Sequence, residues 1–266
     1  MKNIKNVFID IDGVLFHGDR IIEGAYEAIK YLEDNLFDYV LITNTTRMPK
    51  HKIIEKFMTF GFKVNERRLL TPISATIDYI KSKKENALCY IIAPDELDAD
   101  FKGTGLTITR KEEPVDFVVL GYDYRTNFEM LDSAYRLIMD GAELIAMHQD
   151  KVFPGKQKQN IGLGAFVKSL EYSTNKTATI IGKPSKNFFE LAIKKNSAGA
   201  NKIAMVGDSL TGDIIGAKKT GLIAIMVQTG NFNEKELNES KIKPDYLIDS
   251  IKDLPDLLLK IERLER

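Results

Sequence analysis

An apolar run that ends in two aspartates, one residue apart, constrains this chain more than any other stretch. In Val7-Phe8-Ile9-Asp10-Ile11-Asp12-Gly13-Val14-Leu15 the opening residues read as a strand buried on both faces, as in a parallel sheet. A carboxylate at the end of such a strand stands at the carboxyl edge, where open α/β sheets bind ligands. Gly13 lets the backbone turn and approach a bound anion without a side chain in the way. Two aspartates alone would repel a phosphate, since like charges about 4 Å apart cost about 4 kcal/mol at an effective dielectric of about 20. Chemistry on an anion at this edge therefore needs a cation.

The same pattern returns along the chain. A helix with Ala25, Ala28, Ile29, Leu32 and Leu36 on one face is expected over 23–36, followed by a strand over 39–42 that ends in Thr43-Asn44-Thr45-Thr46. Hydroxyls there suit either donation to a phosphate oxygen or capping of the next helix, expected over 49–60. From residue 82 to 177 the texture changes to strands over 88–92, 106–108, 117–120 and 144–147 with a helix over 128–139. This stretch reads as an independent α/β module inserted into the first. The first texture resumes with a strand over 178–181, then Gly182-Lys183-Pro184, a strand over 202–206, and Gly207-Asp208-Ser209-Leu210-Thr211-Gly212-Asp213. Alternating strands and helices give a doubly wound sheet for 1–81 and 178–266, with 82–177 inserted.

Four strand ends thus offer Asp10 with Asp12, Thr43 with Asn44, Lys183, and Asp208 with Asp213. These residues suit phosphoryl transfer, in which a protein mainly positions reactants and neutralises charge. Asp10, Asp208 and the backbone carbonyl of Asp12 would make a hard, all-oxygen site that favours Mg2+. Lys183 adds a compact positive charge, and Thr43 with the N–H groups after Asp12 completes a ring of donors. With the charges balanced, Asp10 can attack phosphorus, and Asp12 can serve as acid and then base.

Composition bounds the partners. Lysine plus arginine equals aspartate plus glutamate at 38 each over 266 residues, so no net field draws the chain to nucleic acid or an anionic membrane. Cys89 is the only cysteine, which excludes an internal disulfide and a cysteine-based zinc site. No apolar run has the length of a membrane span or signal segment, and a cytoplasmic protein is expected.

Asp10-Ile11-Asp12-Gly13-Val14-Leu15, Thr43-Asn44, Gly182-Lys183-Pro184 and Gly207-Asp208 with Asp213 resemble, in order, the four motifs of the haloacid dehalogenase superfamily. The second aspartate, Asp12, is similar to the phosphatase branch. The insertion, with Val119-Leu120-Gly121-Tyr122-Asp123, resembles the type-two cap of the NagD-like, p-nitrophenylphosphatase-like subclass. Thr43-Asn44-Thr45-Thr46 and Leu144-Ile145-Ala146-Met147-His148 are similar to the group holding phospholysine phosphohistidine inorganic pyrophosphate phosphatase and its hydrolase-domain-containing relatives.

The resemblance implies a Rossmann-like core with an inserted cap, and a magnesium-dependent phosphatase acting on a small phosphorylated metabolite. It implies Asp10 as nucleophile, Asp12 as acid and base, and Asp10, Asp12 and Asp208 at the metal with Asp213 supporting. Lys183 would orient nucleophile and phosphate, and Asn44 would hold the phosphate or its loop. It is also compatible with a homodimer through the cap. In the cap, Tyr122, Asp123 and His148 are candidates for substrate contact, each with a plainer alternative as a turn residue or a satisfied structural histidine. A receiver-type signalling module would have about half this length and no use for a cap. A phosphometabolite sensor and a phosphotransferase on the same fold stay open as alternatives.

Overall fold

The computed structural model describes residues 4–154, 158–195 and 199–264. The chain forms two compact units, one of Met1–Thr43, Ile54–Leu70 and Lys183–Arg266, the other of Asn44–Ile53 and Thr71–Gly182. The expected insertion, 82–177, lies wholly within the second unit.

The first unit is built on a six-stranded sheet. Its strands lie in the order Tyr246–Ile248, Ile223–Val227, Ile203–Gly207, Asn6–Asp10, Asp38–Ile42, Leu69–Leu70, and every pair is parallel. The three strands Asn6–Asp10, Ile203–Gly207 and Ile223–Val227 are buried along their whole length, which is why their interiors are apolar without alternation, Asn6 and Asp10 standing at the two ends of the first. Parallel pairing aligns Asp10 with Ile42, and Gly207 with Met226, so the loops after these strands emerge at one edge of the sheet.

Helix Ala25–Asp34 buries Ala25, Ala28, Ile29 and Leu32, the expected stripe. Leu36 departs from it. The helix closes before Leu36 in a Schellman arrangement, with Leu36 N–H donating to Glu33 O at 3.2 Å and Phe37 N–H to Leu32 O at 2.9 Å. Leu36 takes the left-handed position of that motif, φ 59°, and is 92% exposed.

The second unit has a five-stranded parallel sheet in the order Thr179–Ile180, Glu143–Ala146, Phe117–Leu120, Leu88–Ile92, Thr107–Thr109. Its core is aliphatic and aromatic, centred on Val118, Leu120, Leu137, Leu144 and Val167. Thr179–Ile180, read from sequence as the first strand of the returning core, pairs instead with Glu143–Ala146. Two paired residues carry too little apolar pattern to say which sheet they join. Helix Pro72–Lys83 opens the main stretch of this unit, started by a Thr71–Ser74 capping box with proline in its first turn.

Candidate active site

Asp10 closes strand Asn6–Asp10, and Asp208 follows strand Ile203–Gly207 directly, so neighbouring parallel strands deliver both carboxylates to one edge. Ser209 then starts a widened turn over Leu210–Ile214, its hydroxyl accepting from Gly212 N–H at 3.0 Å. That turn folds Asp213 back over Gly207, where a Cβ would stand 2.4 Å from the Asp213 carboxylate. Turns of this kind recur at functional sites.

Lys183 joins the acidic groups. Its ammonium donates to Asp10 Oδ1 at 2.5 Å and to Asp213 Oδ1 at 2.7 Å. All four residues, Asp10, Lys183, Asp208 and Asp213, are buried. The consequences show in their protonation. Burial pushes the Asp10 carboxyl well above its ordinary range, Lys183 opposing and the Asp213 and Asp208 charges adding to it. Burial, reinforced by Asp213, raises Asp208 to about 7. Burial alone would lower Lys183, but the facing charges of Asp10 and Asp213 hold it above the ordinary lysine range.

One ammonium therefore faces three carboxylates that burial has stripped of water. Asp10, Asp208 and Asp213 each offer an oxygen, and these atoms lie within 4.8 Å of one another. The donors are all hard oxygens and the local charge is negative, which fits a hard divalent cation. The side chain of Asp12 is exposed and lies outside this cluster. Thr43, at the end of strand Asp38–Ile42, is buried, and its N–H donates to Leu70 O at 3.3 Å.

Gly13 has a use beyond the one expected. At φ +90° its missing Cβ would stand 1.9 Å from Asp208 Oδ2, so the space it leaves is filled by a carboxylate of the protein itself. The turn Thr229-Gly230-Asn231 was not foreseen. Asn231 N–H donates to Asp208 Oδ2 at 2.6 Å, and Thr229 Oγ1 donates to Gly13 O at 2.5 Å. Its signal was available, because the turn follows the buried strand Ile223–Val227 as the other site loops follow theirs.

The other predicted residues belong to the second unit. Asn44 Nδ2 donates to Asp150 Oδ2 at 3.3 Å, and His148 Nδ1 lies 3.1 Å from the same oxygen. His148 is buried, with Nε2 3.4 Å from Thr46 Oγ1, which also accepts from Tyr122 N–H at 3.2 Å. The Tyr122 ring meets the Phe153 ring edge-on at 4.6 Å, and the Arg47 guanidinium lies 5.4 Å above Phe153. Asp123 is occupied: its oxygens accept from Arg125 N–H at 2.9 Å and from the Arg125 guanidinium at 2.7–3.1 Å.

A family model described as haloacid dehalogenase-like hydrolase matches residues 7–107, and a second, HAD-hydrolase-like, matches residues 180–254. Haloacid dehalogenase-like hydrolase domain-containing protein 2 of Pongo abelii is 32% identical over 244 residues, covering 91% of this chain and 90% of that protein. The chain belongs to the haloacid dehalogenase-like hydrolases. Among similar members, an acid sugar phosphatase of Staphylococcus haemolyticus is 29% identical over 99% of this chain and 98% of its own. The p-nitrophenyl phosphatase from Archaeoglobus fulgidus superposes with a TM-score of 0.90 at 26% identity, over 96% of this chain and 99% of that one. The α/β architecture of this hydrolase is thus that of solved p-nitrophenyl phosphatases. No helix among the described residues is long and apolar enough to cross a membrane.

Proposed function

We propose that this haloacid dehalogenase-like hydrolase is a magnesium-dependent phosphatase of small phosphomonoesters, with Asp10 as nucleophile. The observation that carries the reading is the buried Lys183 ammonium, shared by Asp10 at 2.5 Å and Asp213 at 2.7 Å. So held, Lys183 fixes the Asp10 carboxylate and offsets charge that a phosphate brings in. Asp10 attacks phosphorus, the bond from phosphorus to the leaving oxygen breaks, and an aspartyl-phosphate forms. Asp12 gives its proton to the leaving oxygen. It then takes a proton from the water that attacks the aspartyl-phosphate, and phosphate and free Asp10 result. Thr43 donates to the phosphate oxygens; the expected N–H donors after Asp12 are partly spent, since Gly13 N–H donates to Phe16 O at 2.6 Å and Leu15 N–H to Ile11 O at 2.9 Å.

Asp10, Asp208 and the backbone carbonyl of Asp12 would hold Mg2+, with Asp213 behind them, and the ion would supply positive charge against the phosphate oxygens. In this reading the first unit, which covers the expected core 1–81 and 178–266 except 44–53, 71–81 and 178–182, carries the chemistry. The second, around 82–177, is the cap that selects the leaving group. Tyr122 and His148 are its substrate-facing candidates, whereas Asp123 holds its own loop through Arg125, and Asn44 holds the phosphate or the loop beside it. A cytoplasmic setting suits small phosphorylated metabolites as substrates. The names of the similar proteins point the search to sugar and aryl phosphates.

Phosphate release from p-nitrophenyl phosphate, sugar phosphates, nucleotide monophosphates and pyrophosphate, with magnesium and with EDTA, tests the proposal. Activity that needs magnesium and disappears in Asp10→Asn supports it. A folded protein that hydrolyses none of the panel overturns it in favour of a binding role.

A further inference from the structure

Two consecutive residues of the turn after strand Ile223–Val227, Gly230 and Asn231, meet one oxygen of Asp208. The Asn231 backbone N–H donates to Oδ2 at 2.6 Å, and the Asn231 side-chain amide donates to the same atom at 3.1 Å. Gly13 and Gly230, at φ +90° and +62°, wall the remaining sides: a Cβ on either would stand 1.9 or 2.0 Å from Oδ2. Thr229 Oγ1 ties the two walls together by donating to Gly13 O at 2.5 Å. Oδ2 is thus saturated and enclosed. None of these contacts is made to Oδ1.

We propose that Asn231 is a positioning residue that confines Asp208 to one ligand oxygen and thereby favours magnesium over calcium; this rests on the function proposed above. Magnesium takes an octahedron of oxygens at about 2.0–2.1 Å, whereas calcium takes six to eight at about 2.3–2.6 Å and often uses both oxygens of a carboxylate. A carboxylate with one oxygen tied suits the first and denies the second an extra ligand. Asn231 is exposed, so replacing it spares the core. Groups that orient a metal ligand in this way commonly carry about 10–100-fold of metal affinity.

The test is titration of the ion-free full chain with MgCl2 and, separately, CaCl2, read by calorimetry and by the shift in thermal unfolding. Wild type is compared with Asn231→Ala, which removes one donor, and Asn231→Asp, which keeps the shape and replaces the donor by an acceptor. In both variants the ratio of magnesium to calcium affinity should fall about 10-fold, with the ion-free unfolding temperature close to wild type. If wild type binds magnesium and both variants keep its ratio, the assignment of Asn231 is overturned and the proposed function stands. If wild type binds no magnesium by either measure, the proposed function is overturned and this assignment with it.

Discussion

Lys183 Nζ lies 2.5 Å from Asp10 Oδ1, and the two side chains are only 5% and 9% exposed. Removing one member of a buried ion pair leaves the other desolvated and unmatched, at a cost of about 3–5 kcal/mol. Lys183→Met should therefore destabilise the ion-free protein by about 3 kcal/mol at pH 8, measured by urea unfolding. Phosphate release should fall at least about 100-fold, as for loss of a charge-stabilising group. A variant as active as wild type would remove Lys183 from the mechanism.

The raised carboxyls set how magnesium and pH trade off. Asp10 and Asp208 bind protons more tightly folded than unfolded, Asp208 titrating near 7 in place of its ordinary 3.8. Their contribution to ion-free stability is therefore full below about pH 4 and lost as the pH rises toward 7, because ionised carboxylates crowd the folded pocket. A divalent ion competes with those protons. Magnesium should raise the unfolding temperature little at pH 5 and markedly at pH 8, as followed by differential scanning fluorimetry. An equal rise at both pH values would contradict this account, as would a full rise in Asp208→Asn.

Asp123 should matter for stability rather than for substrate choice. Burial would raise its carboxyl, but hydrogen bonds from Arg125 override burial and hold it below the ordinary range. Arg125 also reaches Asp95 at 3.0 Å, so the pair ties two loops of the second unit. Asp123→Ala should cost about 1–3 kcal/mol in chemical unfolding and leave relative rates across the phosphoester panel unchanged. A reordered panel would place Asp123 against substrate after all.

Leu36 gives a prediction of opposite sign. A leucine at φ 59° pays a steric cost that glycine does not, and its side chain, 92% exposed, recovers little by packing. Leu36→Gly should stabilise the protein by roughly 0.5–1 kcal/mol after the greater chain entropy of glycine is allowed for. Thermal unfolding should rise by about 2 °C. A fall would mean that Leu36 is covered by something in solution.

The parallel-sheet core was legible because buried central strands are long apolar runs, and a polar residue placed immediately after one is forced to the carboxyl edge. That logic brought Asp10, Lys183, Asp208 and Asp213 to attention together, and the structure gathers them in one cluster, although the strand before Lys183 lies in the other sheet. It should have reached Thr229-Gly230-Asn231 too. That turn was passed over because a Thr-Gly-Asn sequence reads as an ordinary hairpin or loop, and its partner, Asp208 Oδ2, is remote in sequence. Leu36 was misplaced on a helical face because periodicity does not sense the left-handed residue that ends the helix. Thr179–Ile180 was assigned to the wrong sheet because strand pairing is a long-range property. His148 was noticed as a chemical group, but its partners Thr46 and Asp150 came from different segments that no spacing rule connects.

The position of strand Asn6–Asp10 in its sheet has a consequence for biosynthesis. One of its neighbours, Asp38–Ile42, is translated soon after it, whereas the other, Ile203–Gly207, follows only after the whole of the second unit. At about 5–20 residues per second, a ribosome takes about 10–40 s to cover that interval. During this time the central strand of the first unit has one hydrogen-bonding edge open to any extended segment nearby. The strand that ends in Asp10 is thus open to mispairing while the chain is being made, and chains released before residue 203 cannot close its sheet.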